Sequence, residues 1–187
     1  RRNGARYVVV NPYKVKSADM ANLFLQPTPG SDAALALGVM HIIINNSLYD
    51  KEFVEKYTEG FEALSKRVQE YPPEKVEEIT EVKKDVLVEF AKMYASHSPS
   101  FIYAGSGMQH HTNGGMMIRT ISCLPGLVGA WKYPGGGMFY PTSESFPISW
   151  EKLERNDLSP NSPRTINMNQ LGGALIHAEP EIHGLYI

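Results

Sequence analysis

A single cysteine, Cys123, in 187 residues excludes an internal disulfide framework and any multi-cysteine zinc or iron–sulfur site built from this chain alone. A basic surplus is also missing. Eighteen Lys and Arg stand against twenty Asp and Glu, a net charge of −2, which leaves a nucleic-acid-binding reading with nothing to rest on. No apolar run approaches the roughly 18–20 residues that a membrane span requires. Neither end of the sequence reads as a signal peptide. The phosphate loop Gly-x-x-x-x-Gly-Lys-Ser/Thr does not occur, nor does any internal repeat or low-complexity tract. What is there is an ordinary globular make-up, 42% hydrophobic and 20% charged, which supports a real core and argues against disorder.

Tyr7–Val10 is short, β-branched and closed by Asn11-Pro12, and reads as a buried strand running into a turn. After a short segment around Ser17–Leu23, the run Pro27–Asp32 precedes an apolar-rich helix from Ala33 to Asn46. Ser31 is its expected N-cap, and Asp32 falls in the first turn, where the helix dipole favours a carboxylate by about 0.3–1 kcal/mol. Asp50 opens a second helix, and Phe61, Leu64 and Val68 mark a third that stops before Pro72-Pro73. Helical spacing resumes over Val76–Ile79 and Val82–Ser96, with Val86, Phe90, Met93 and Tyr94 expected to face inward. Phe101–Ala104 reads as the second strand, Met116–Ala130 as a further helix, and Pro134–Gly137 as the end of regular structure. A long irregular excursion is expected over about 134–165, then a helix over Asn169–Ala178 leading into a final strand that includes Leu185–Ile187. Strands alternating with helices imply an α/β fold, a doubly wound, mostly parallel sheet with helices on both faces. Strand-like stretches near both termini imply a fragment, truncated at one or both ends.

In such sheets ligands sit outside the carboxyl ends of the strands, which here are Asn11-Pro12-Tyr13 and Gly105-Ser106-Gly107. Gly105 and Gly107 begin a dinucleotide fingerprint, but His110 stands where the third glycine belongs and no acid follows about twenty residues on. That disfavours an NAD-type dehydrogenase domain. The pair His110-His111 makes poor co-ligands for one metal ion, because adjacent residues diverge on a helix and oppose on a strand. One of the two bonded to an anionic or heterocyclic ligand is the functional alternative to a solvated pair. Ser31-Asp32 is a helix start in any protein, yet a carboxylate at a crevice-facing helix N-terminus also matches guanine, whose N1–H and N2–H lie side by side. Pro134–Gly137 is either a flexible turn or a place where backbone approaches a flat ligand closely. Cys123 and His41 share apolar helices and read as structural.

Seven stretches, taken together and in order, resemble molybdopterin oxidoreductases of the dimethyl sulfoxide reductase family. They are Arg6–Tyr13 (RYVVVNPY), Ala18–Ala21 (ADMA), Leu25–Gly38 (LQPTPGSDAALALG), Leu48–Thr58 (LYDKEFVEKYT), Gly107–Gly114 (GMQHHTNG), Pro134–Gly137 (PGGG) and Ile166–Gly172 (INMNQLG). Any one is weak; the ordered set spans nearly the whole chain. The resemblance implies part of a middle α/β domain, covering 1–187, that cradles one of two molybdopterin guanine dinucleotides holding molybdenum or tungsten. It assigns cofactor contacts to Asn11, Pro12 and Tyr13, to Gly30, Ser31 and Asp32, whose acid meets guanine, and to Ser106, Gly107 and His110 near the phosphates and pterin. Two positions depart from the family. Asn11 replaces an acid and Tyr13 an arginine, so a basic partner there falls to Lys14 or Lys16.

The resemblance further implies an iron–sulfur cluster elsewhere in a parent enzyme, the metal's protein ligand outside this chain, and an isolated fragment that is inactive and free of metal and cofactor. Its partners would be the remaining domains of the parent and an electron-transfer subunit, with self-association of the fragment through exposed strands. A prokaryotic cytoplasmic or cell-envelope setting is implied. The competing expectation is a non-enzymatic α/β scaffold or interaction domain that has lost cofactor binding, which Asn11 and Tyr13 favour.

Overall fold

The computed structural model describes residues 4–141, 146–158 and 164–185. The chain divides into two compact units, Arg1–Thr142 and Ser143–Ile187. In the first, a strand β1 (Val8–Val10) pairs in parallel with β2 (Leu23–Leu25), Val9 opposite Phe24. A single 3-10 turn, Lys16–Met20, makes the crossover. Five helices follow: α1 (Asp32–Asn45), α2 (Lys51–Tyr57), α3 (Phe61–Val68), α4 (Pro73–Thr80) and α5 (Lys84–Ser96). Then β3 (Phe101–Tyr103), a 3-10 turn at Ser106–His110, α6 (Gly114–Leu127) and β4 (Gly137–Phe139) form a parallel β–α–β unit, with Tyr103 opposite Phe139. The second unit carries α7 (Trp150–Glu154) and α8 (Leu171–His177), both without a fully buried residue.

The mixed α/β character is as expected, but the continuous sheet is not seen. Among the described residues the strands form two separate two-stranded parallel ladders. Three-residue strands offer little surface to cover, so the core forms between helices instead. α1 is the hub. Ala34 through Met40, Ile42 and Ile43 are buried around most of its circumference, and α3, α4, α5 and α6 all pack on it. Val39, Met40, Ile43, Val68, Val76, Leu87 and Met117 are wholly enclosed, each large side chain contributing about 1.5–3 kcal/mol of burial.

Several elements differ from expectation. β2 and β4 were not anticipated, and β4 and α7 lie within the stretch read as irregular. On α5 the buried stripe is Leu87, Ala91 and Tyr94; Val86 and Phe90 only flank it. β3 is not buried on both faces, since Phe101 and Tyr103 are exposed. Leu185 is irregular, and the remainder of the expected final strand, 186–187, lies outside the described residues. No helix among the described residues is long and apolar enough to cross a membrane.

Candidate functional site

The carboxyl ends of β1 and β2 lead into two of the three expected segments. Beyond Val10, the Asn11 N–H donates to the Leu25 carbonyl at 3.1 Å, extending the pairing by one step. The Asn11 side-chain oxygen then accepts from the Tyr13 N–H at 3.1 Å, closing a local turn. The Gln26 amide donates to the Pro12 carbonyl at 3.1 Å, tying that turn to the residue after β2. Tyr13 points into solvent. Lys14, a candidate basic replacement, is engaged by Asp19 at 2.8 Å in an exposed pair, a kind that contributes little.

From Gln26 the chain turns into α1. The Thr28 N–H and hydroxyl both reach the Thr80 carbonyl, at 2.9 and 3.4 Å, anchoring the turn to the end of α4. Ser31 occupies the N-cap position as expected, but its side chain does not cap. Its backbone lies at φ −99°, ψ 6°, and its buried hydroxyl donates backward to the Thr28 carbonyl at 2.6 Å. The cap's task is thus given up to tighten the preceding turn. Gly30 sits at φ +83°, a conformation costly to any residue with a Cβ. Asp32 is the first residue of α1 and half-buried. Burial pushes its carboxyl above the usual carboxylate value, opposed by its own backbone N–H and by the charge of His111. Among the described residues it makes no ion pair with Lys or Arg.

The third segment follows β3. Ala104 donates to the Phe139 carbonyl at 2.9 Å, and the chain then enters the 3-10 turn. At Gly105 and Gly107 the direction a Cβ would take is open, with nothing within 4 Å. Ser106, Gly107 and His110 are exposed on this turn, and no hydrogen bond among the described residues joins them to Asn11–Tyr13 or Gly30–Asp32. The contact comes instead from His111, read in the sequence as one of an adjacent pair, and from Asn113, not singled out in the sequence. The His111 ring lies against Gly30, and the Asn113 amide donates to the Gly30 carbonyl at 3.5 Å. The signal for His111 was the adjacent histidine pair; both members are exposed, and His111 is the one that lies against Gly30.

The triple glycine at 135–137 approaches a flat group, but that group belongs to the chain itself. A Cβ on Gly137 would overlap the Trp131 indole, and one on Gly136 the Ala130 carbonyl. Cys123 is half-buried, its thiol donating to the Arg119 carbonyl at 3.4 Å, and burial raises its pKa. Among the described residues no three His, Cys, Asp or Glu side chains are grouped so as to hold a metal ion. Two shallow surface depressions, one lined by Gly4, Ala5, Arg6 and Asn22 and one by Asn46, Leu48, Lys92, Ala95 and Ser96, include none of the candidate residues.

Residues 1–172 match the family described as molybdopterin oxidoreductase. The chain is 44% identical over its whole length to a probable oxidoreductase, YoaE, of Bacillus subtilis, covering 28% of that protein. It is 36% identical to acetylene hydratase of Syntrophotalea acetylenica, over 89% of this chain and 23% of that protein. It is 37% identical to formate dehydrogenase H of Escherichia coli, over 74% and 19% respectively. The solved structure of acetylene hydratase from Pelobacter acetylenicus superimposes with a TM-score of 0.68 at 40% identity, over 73% of this chain and 18% of that one. The chain therefore spans less than a third of the length of these relatives. A sequence match over nearly the whole length, joined to a shared backbone course, makes this chain a member of the molybdopterin oxidoreductase family.

Proposed function

We propose that the chain forms part of the cradle for one molybdopterin guanine dinucleotide in a molybdenum or tungsten oxidoreductase that holds two. One observation carries this reading: the half-buried Asp32 carboxylate at the start of α1, which makes no ion pair with Lys or Arg among the described residues. A carboxylate kept there against burial is costly to the fold unless a ligand supplies the missing donors. Guanine's N1–H and N2–H match its two oxygens. The open sides of Gly105 and Gly107 fit such a group too, since backbone can approach phosphate or pterin there without obstruction. Asp32 would hold the guanine, while Ser106, Gly107 and His110 would offer backbone and imidazole donors further along the ligand. When bound, the cofactor's metal supplies oxygen-atom or proton-coupled electron transfer, and the protein orients it. The iron–sulfur cluster, the metal's protein ligand and any electron-transfer partner would belong to other parts of a prokaryotic parent enzyme, cytoplasmic or envelope-associated. The 187-residue chain by itself would be inactive.

The test is cofactor content of the full-length protein. Asp32→Ala should weaken dinucleotide retention more than tenfold, since a hydrogen bond to a charged group is worth about 1.5–3 kcal/mol. Asp32→Asn should also weaken it, because one corner of the amide would point a donor at guanine's donors. Normal content in both would leave Asp32 a helix starter only. It would also favour the second reading, a scaffold domain without cofactor. Asn11 and Tyr13 support that alternative, one with its oxygen taken by a local turn, the other directed into solvent.

A further inference from the structure

The turn that leads into α1 is held from outside its own segment. The point where a Cβ on Gly30 would stand lies 3.2 Å from Nδ1 of His111 and 3.6 Å from its Cε1 and Cγ, so the solvent-exposed imidazole packs beside the glycine on the side a Cβ would take. The Asn113 amide reaches the Gly30 carbonyl from a position 83 residues further along the sequence. The loop that carries both residues is itself fixed. The Gly114 N–H donates to the His111 carbonyl at 2.9 Å, the His111 N–H to the Met108 carbonyl at 3.4 Å, and Gly114 lies so close to the Gln109 backbone that no side chain fits. Ser31 and Thr28 hold the turn from the opposite side, through Thr80.

We infer that His111 is a positioning residue for the ligand-binding carboxylate: its ring locks the Gly30 turn, and the locked turn fixes the direction in which Asp32 faces a flat ligand with two adjacent N–H donors. This rests on the guanine reading of Asp32 above. A glycine at positive φ has the widest conformational freedom of any residue, so a turn built on Gly30 needs an external wall to stay in one shape. His111 is that wall, and Asn113 fastens the carbonyl beside it. Both adjacent histidines are exposed; His111 lies against Gly30, while His110, at the end of the 3-10 turn, is open to a different part of the same ligand.

The experiment compares wild type, Asp32→Ala, His111→Ala and His111→Phe in the full-length protein. It measures guanine nucleotide released by acid per polypeptide, the thermal midpoint, and amide exchange at Gly30 and Ser31. His111→Ala should lower bound guanine about tenfold, as loss of a group that orients a ligating residue does, and should speed exchange at Gly30 and Ser31. His111→Phe keeps a ring against Gly30 and should return guanine to within about a factor of two of wild type. A general loss of stability would lower the midpoint of both histidine variants alike; rescue of guanine content by phenylalanine separates positioning from that. If Asp32→Ala loses guanine while His111→Ala keeps it, the positioning role is wrong and the guanine reading stands. If His111→Phe fails to restore what His111→Ala loses, the ring is not the wall. If Asp32→Ala itself retains guanine, the guanine reading falls and this inference with it.

Discussion

Asp32 and Asp50 both stand at helix starts, yet the fold treats their charges in opposite ways. Asp50 caps α2: one oxygen accepts from the Phe53 N–H at 3.0 Å and the other from Lys132 Nζ, and Lys132 followed by the Phe53 N–H holds its carboxyl below the ordinary 3.8. Asp32 is pushed the other way by burial. A lowered carboxyl gives the fold stability that is complete above 3.8 and is lost as pH falls toward the folded value. A raised one does the reverse, because the folded state binds more protons and stability drops as pH rises through 3.8. Asp50→Asn should therefore flatten the acid limb of a urea-midpoint profile below about pH 4. Asp50→Ala, which also removes the cap, should cost about 1 kcal/mol at neutral pH. Asp32→Asn should leave neutral-pH stability unchanged or higher while cofactor retention falls. A loss of stability comparable to that of Asp50→Ala would show that Asp32 serves the fold and not a ligand. Gly30→Ala adds the strain of a Cβ at φ +83°, about 1–2 kcal/mol, to a 3.2 Å approach to the His111 ring, and denaturant unfolding reads the sum.

At the scale of elements, the helices depend on close approach at a few points. A Cβ on Gly38 of α1 would lie 2.7 Å from Cγ2 of Val76 on α4 and 3.2 Å from Cδ2 of Leu87 on α5. Gly38→Ala should destabilise by about 1–3 kcal/mol despite alanine's better helix propensity, and Val76→Ala in the same chain should recover part of that loss in a double-mutant cycle. α4 ends with Glu81 at φ +62°, a left-handed C-cap where glycine is favoured. Glu81→Gly should raise the thermal midpoint by an amount matching up to about 1 kcal/mol. Just before it, the buried Thr80 hydroxyl donates to the Val76 carbonyl at 2.7 Å and accepts from the Val82 N–H at 3.2 Å. The helices were largely legible in the sequence because each announces itself locally: Asp50 three residues before Phe53, Pro72-Pro73 at the start of α4, an apolar run after Ser31-Asp32. The strands were less so. Leu23–Leu25 and Gly137–Phe139 are three residues each, too short for alternation to show, and β4 opens in a glycine run that reads as a turn. No local pattern says that Gly137 will lie opposite Phe101. The same limit applied to the site. Gly30–Asp32 stands out by its own residues, whereas the choice of His111 over His110 depends on a contact across 81 positions of sequence.

At the scale of the molecule, the two short ladders among the described residues leave strand edges and aromatic surface open there. Phe101, Tyr103 and Phe139 are all about half exposed or more, with the Tyr103 and Phe139 rings stacked at 5.6 Å. Two-stranded pairs are marginal by themselves, and unpaired edges recruit other chains. The 187-residue chain should therefore show light scattering that rises with concentration and responds little to salt, and Tyr103→Lys should suppress it; a wild-type chain that stays monomeric throughout would refute this. The stacking of Trp131 on Gly137 has a practical consequence. The chain holds only two tryptophans, and they divide between the compact units, Trp131 in the first and Trp150 in the second. Each unit thus carries its own fluorophore. With Trp150 replaced by phenylalanine, emission reports the first unit alone, from a half-exposed indole whose other side lies against the Gly137 backbone. With Trp131 replaced instead, the same instrument follows the second unit. Two single-tryptophan proteins titrated with urea would reveal in one afternoon whether the units melt as one cooperative body or as two.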